Sequence, residues 1–255
     1  MKKVLLFALM AALALGACKK DDNTTKLFKG KAVAFQQGTA FTWYEVDKTN
    51  KPLRIAIAID DAAMASLDRG DGKDENTHNT GSLPMPEQAS SSIFTHGLLF
   101  WNPRGHPFEG IYDLPHFDFH FYTISEAARL ALPSYVQAPD EWNNYPPADY
   151  MPLNYVPATP GVPDMNGHWV DTTSPEFNGQ KFTQSYLYGS YDGKVINQEP
   201  MVTESFLNVN SGFTRSIPQP AKVEKPGWYP TKMRIEKANG TTSVILEDFI
   251  RRQPN

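Results

Sequence analysis

The segment Pro115-His116-Phe117-Asp118-Phe119-His120-Phe121-Tyr122 decides how this chain is read. Polar and aromatic residues alternate along it with period two, the pattern of a β-strand whose two faces meet different surroundings. His116, Asp118 and His120 share one face, and Phe117, Phe119 and Phe121 share the other. Three adjacent phenylalanines in water would form a large apolar patch, so the aromatic face is expected to enter a core. The His-Asp-His face then looks into a pocket, an interface or solvent, and the chemistry of the protein turns on which.

The surrounding sequence points to an α+β fold, mainly antiparallel β, with one or two short helices. Strands are expected over 32–36 and 41–46, joined at Gln37-Gly38-Thr39, and over 54–59, where Ile55, Ile57 and Ile59 alternate with Ala56 and Ala58. Further strands are expected over 93–101, 182–188, 194–197 and 201–209. Asp192-Gly193 and Asn239-Gly240 carry the dipeptide that two-residue hairpins prefer, the latter between strands over 232–237 and 242–249. Asp60 or Asp61 can cap a short helix over 62–67, and Ser125 another that ends at Pro133. Eight prolines fall between Pro133 and Pro163, interleaved with Tyr135, Trp142, Tyr145, Tyr150 and Tyr155. Proline removes ladder donors, so 133–163 is expected as a long extended Pro/Tyr-rich segment, laid across the domain or clasping a second copy in a homo-oligomer.

Composition bounds the rest. The 255 residues are 40% hydrophobic and 12% aromatic, enough to bury a core, and residues 32–252 read as a single β-rich domain. With 24 Lys+Arg against 28 Asp+Glu the formal net charge is -4, which gives no electrostatic footprint for a nucleic-acid partner. The acidic run Asp68, Asp71, Asp74, Glu75 lacks the alternate-position spacing of an EF-hand loop.

The N-terminus reads as an address. Lys2 and Lys3 precede an apolar run from Val4 to Leu15, short for a membrane span but suited to a signal-peptide core. Leu15-Gly16-Ala17-Cys18 follows, and it looks like the lipobox of bacterial lipoproteins: small residues admit the peptidase, and the thiol accepts the lipid. Cys18 is the only cysteine in the chain. Residues 1–17 are thus expected as a lipoprotein signal peptide, with Cys18 lipidated and residues 18–31 a flexible tether. Losing Lys2 and Lys3 takes the formal charge from -4 to -6. Multiple acyl chains anchor where one would not, so the partner is a membrane. Lys19-Lys20-Asp21-Asp22 resembles an export tag for the outer face of the outer membrane.

The combination of Gly105-His106-Pro107, the segment from Pro115 to Tyr122, Gly167-His168-Trp169, Tyr188-Gly189-Ser190-Tyr191-Asp192-Gly193 and Glu199-Pro200-Met201 resembles a family of exported bacterial proteins of unknown function. The resemblance covers roughly residues 30 to 252. It implies an export-related domain and assigns no reaction.

Five of the six histidines, all but His78, lie in or near those motifs, together with Asp118 and Glu199. Imidazole nitrogen and carboxylate oxygen suit zinc, iron or manganese, and His116-x-Asp118 with a distant His168 matches a two-His-one-carboxylate set. Positions two apart on a strand are separated by about 6.7 Å and positions four apart by about 13 Å. Metal–ligand bonds are only about 2 Å, so His116 and His120 cannot share an ion on a flat strand. A site is expected to take Asp118 with one of the two, plus His168, His106 or Glu199. Without a metal, Asp118 would instead hydrogen-bond the histidines and fix strand register. The sequence contains no Gly-x-Ser-x-Gly, phosphate loop or His-Glu-x-x-His. The alternatives to a metal site are a surface module whose exposed Trp and Tyr bind glycan or peptide, and a structural homo-oligomer.

Overall fold

A computed structural model describes residues 24–70, 79–158 and 161–254. The expected signal peptide, Cys18 and most of the acidic run after Gly70 lie outside those residues. Alternating apolar patterns fold into two seven-stranded sheets in which every pairing is antiparallel. The first runs β1 (Lys26–Lys29), β3 (Gly38–Val46), β4 (Pro52–Asp60), β15 (Thr241–Glu247), β14 (Lys232–Ala238) and β12 (Thr214–Ser216), with β2 (Val33–Phe35) also paired to β3. The second runs β5 (Thr80–Pro84), β6 (His96–Asn102), β7 (His116–Tyr122), β11 (Lys194–Thr203), β10 (Gln184–Tyr191), β9 (Gly167–Asp171) and β8 (Tyr155–Pro157). A small ribbon pairs β13 (Gly227–Tyr229) with β16 (Ile250–Arg252).

The sheets pack on one another. Ile55, Ile57, Ile59, Val244 and Leu246 of the first share one core with Phe117, Phe119, Phe121, Leu99 and Trp101 of the second. Gly97 marks the closest approach: a β-carbon there would lie 3.0 Å from the Ile57 side chain. The alternation in β4 sends its isoleucines into this core, while Ala56 and Ala58 pack under Trp43 on the opposite face. The aromatic face of β7 is buried as expected, and the whole strand is buried on both sides.

Four short helices are present among the described residues: α1 (Asp61–Ala65), α2 (Glu126–Leu130), α3 (Pro139–Asn143) and α4 (Glu204–Val209). Asp60 caps α1, its carboxylate accepting from the Ala63 amide at 2.8 Å, and Ser125 caps α2. Both Asp192-Gly193 and Asn239-Gly240 have positive φ at both residues, as a type I′ hairpin requires.

Several expectations are corrected. The strand expected over 201–209 ends at Thr203, whose hydroxyl accepts from the Phe206 amide and starts α4. The break expected between 197 and 201 is absent: β11 runs through Pro200. Its ladder to β7 lapses at Glu199-Pro200, between the pairs Gln198–Phe121 and Met201–Asp118, with register unchanged. The missing proline donor thus falls where no ladder pair forms. The tether expected to reach residue 31 is shorter, since β1 pairs with β3 from Lys26. The Pro/Tyr-rich segment is not uniformly extended; it contains α3, with Pro139 in its first turn, and the edge strand β8. Trp142 and Tyr155 are buried by their own chain, which weakens the argument for a clasp on a second copy.

Phe119 has no solvent exposure and sits at the centre of the shared core. Phe119→Ala is expected to lower unfolding free energy by about 3–5 kcal/mol in urea denaturation, the usual cost of emptying such a site.

Candidate metal centre

Because β7 lies between β6 and β11, its polar face continues onto both neighbours. His116 stands opposite Asn102 and Thr203, Asp118 opposite Phe100 and Met201, and His120 opposite Leu98. Asn197 and Glu199 join the same face from β11 by period two. This face does not meet solvent. Tyr112, Val170, Phe182, Leu187 and Met201 form a second, smaller core over it, closed by Phe108, Ile111 and Leu114 from the β6–β7 connection.

Within this cover the histidines and carboxylates gather into two trios. His106, His116 and Asp118 form one, and His120, His168 and Glu199 the other; in each, three potential ligand atoms lie within 4.8 Å of one another. In the first, Nε2 of His106 and of His116 lie 3.4 and 3.2 Å from the two Asp118 oxygens. In the second, Nε2 of His120 and of His168 lie 3.3 and 3.4 Å from the same Glu199 oxygen. Ligands about 2.1 Å from a tetrahedral ion are about 3.4 Å from each other, a spacing similar to these separations.

The outer nitrogens of the first trio have a fixed state. His106 Nδ1 lies 2.6 Å from the Pro107 carbonyl, and His116 Nδ1 lies 2.6 Å from the Leu114 carbonyl. A carbonyl only accepts, so both Nδ1 atoms carry protons and donate. On the inner side each Nε2 then either carries a second proton and donates to the carboxylate, or offers a lone pair that a cation would bridge to it. Nδ1 donation of this kind also orients metal-ligating histidines. Asn102 Nδ2 donates to Asp118 Oδ2 at 2.7 Å and holds the carboxylate in place. The turn that delivers His106 depends on Gly105, whose φ is +73° and whose missing side chain admits the Tyr112 carbonyl.

The two carboxyls differ in charge. Burial pushes Asp118 up, but His116 and His106 beside it hold it well below the usual carboxylate range. Burial pushes Glu199 well above that range, and the Asp118 charge adds to the effect. Burial lowers His120 to about 3 and His168 to about 4, so both rings are neutral near pH 7. Burial works against His106, yet hydrogen bonding to Asp118 leaves it raised. The lowered Asp118 favours cation binding at the first trio, whereas at the second a cation competes with the protonation that burial of Glu199 favours.

All six candidate residues from the sequence therefore meet, but His168 joins Glu199 rather than His116 and Asp118, whose third partner is His106. His116 and His120 fall in different trios, as strand spacing requires. The fifth motif-linked histidine, His96, belongs to neither. It stacks on Tyr122 and accepts from Arg129 Nε at 3.1 Å. Sequence reasoning missed Asn102, Asn166 and Asn197. Period-two counting along β6 and β11 would have found the first and last. Asn166 is fully buried and packs on Gly189, where a β-carbon would stand 2.6 Å from its Cγ.

His96 is lowered from 6.5 to about 4 by burial and then by the Arg129 charge. With His120 and His168 also lowered, the unfolded chain binds more protons than the native one between about pH 4 and 6.5. The stability these three histidines contribute to the metal-free protein is therefore full above 6.5 and falls as pH drops towards 4. Melting temperature measured across that window should decline, and His96→Gln should flatten the decline.

Comparison of the chain with protein-family models, with curated proteins and with solved structures finds no match in any of the three.

Proposed function

We propose that this is a lipid-anchored cell-envelope protein that binds divalent transition-metal ions, zinc, iron or manganese, at two histidine–carboxylate centres. The observation that carries the reading is the first trio: two imidazole Nε2 atoms meet one buried carboxylate at 3.2 and 3.4 Å, with both outer nitrogens already donating to carbonyls. Satisfying both contacts with protons needs one on each imidazole, two cationic rings against one carboxylate; one metal ion would satisfy both. Three protein ligands leave a coordination position for water or a substrate oxygen, where a bound ion would supply Lewis-acid polarisation. The anchor is supported by the run Leu15-Gly16-Ala17-Cys18 behind an apolar core, and the export motifs agree with an outer-membrane address, on its periplasmic or external side.

Protein purified without chelator should carry metal, approaching two ions per chain on saturation, one for each trio. Asp118→Asn and Glu199→Gln should each remove one of the two, measured by inductively coupled plasma mass spectrometry on protein with wild-type circular dichroism. Wild-type protein that holds no metal and takes up no zinc, iron or manganese in equilibrium dialysis would overturn the metal reading. Cys18→Ser should abolish palmitate labelling and shift the protein out of the membrane fraction.

A further inference from the structure

We infer that the Asp118 trio is the reactive centre of the pair, and that the cavity before it takes a small molecule with one anionic oxygen-donor group on an apolar, ring-sized body, bound through the metal ion. This rests on the metal reading above and adds to it a division of labour and a ligand class.

The division follows from access. His106 and Asp118 both line a cavity of about 320 Å³, and the His106 side chain is 32% exposed. The other trio is less open. His120 and Glu199 are 0% and 1% exposed, and its one contact with the cavity is His168, 14% exposed against 32% for His106. Glu199 also has the Asn197 amide 3.4 Å away. Structural metal sites are closed by their protein ligands, whereas catalytic sites keep a position open.

The ligand class follows from the walls. Phe100, Phe108, Val162, Val170 and Leu187 make most of the lining apolar. A cavity of roughly 150 Å³ holds benzene, so this one holds a ring and a carboxylate-sized head. No Lys or Arg lies among the described lining residues. An anionic head therefore has the ion at Asp118 as its strongest positive partner, with only the His106 imidazole beside it, and should bind more weakly without the ion. The same walls disfavour sugars, which need many hydrogen-bonding groups, and phosphate esters, which carry a second charge.

Benzohydroxamate supplies this chemistry as a probe, and cobalt(II) makes the site visible through its ligand-field absorption bands. Full-length protein in detergent, loaded with cobalt, should show a saturable change in those bands at one hydroxamate per chain. Binding to the cobalt-free protein should be at least about tenfold weaker. Asp118→Asn should abolish the response, and Val162→Trp, at the cavity wall, should weaken it while leaving cobalt content unchanged. Failure to take up cobalt overturns the metal reading and this inference together. Cobalt uptake with bands indifferent to hydroxamate overturns this inference alone, as does equal binding to the metal-free chain. A response that survives Asp118→Asn but is lost in Glu199→Gln would assign the ligand to the other centre and contradict the division made here.

Discussion

A buried carboxylate is an unstable arrangement unless donors or positive charge stand against it. Asp118 is in that position, with the Asn102 amide and two imidazoles at its oxygens. Two imidazoles present Nε2 to its oxygens because carbonyls of the β6–β7 connection have claimed their Nδ1 protons. Much of the surrounding architecture serves to hold this contact. The phenylalanines of β7 commit one face of the strand to the sandwich core, so its polar face needs a second cover. The β6–β7 connection and the chain around β9 provide it, and they bring His106 and His168 with them.

The two trios are chemically alike and electrostatically unlike. Each has two histidines and one carboxyl, yet Asp118 is held low by its imidazoles while Glu199 is pushed up by burial and by the Asp118 charge. Buried like charges push their ionisations apart. The proposed ions would therefore enter differently, with proton release concentrated at the Glu199 side. The lapse in the β7–β11 ladder covers Glu199, opposite His120, and Pro200, opposite Phe119.

Local patterns were legible in the sequence, and long-range partnership was not. The alternation from His116 to Tyr122, the isoleucines of β4 and the Asn239-Gly240 turn each carry their structure within a few residues, so they read directly. The six candidate residues were visible as chemistry. Their division into trios depends on which strand lies beside β7 and on how the β6–β7 connection folds back, and neither leaves a trace near His106 or His168. Thr203 deceived because its apolar followers Phe206 and Leu207 suit a strand or a helix equally, and only its hydroxyl cap decides. Pro200 deceived because the cost of proline in a strand depends on whether a neighbour needs its missing donor. Asn166 was invisible since its role comes only from contact with Gly189.

The central claim is that a metal ion, rather than protons on the two imidazoles, joins His106 and His116 to Asp118. Anomalous diffraction from crystals of the zinc-loaded protein, recorded on either side of the zinc absorption edge, tests it most directly. A peak about 2 Å from Nε2 of His106, Nε2 of His116 and a carboxylate oxygen of Asp118 is the predicted result. Clear density for all three side chains in their present positions, with no anomalous peak among them, would contradict it.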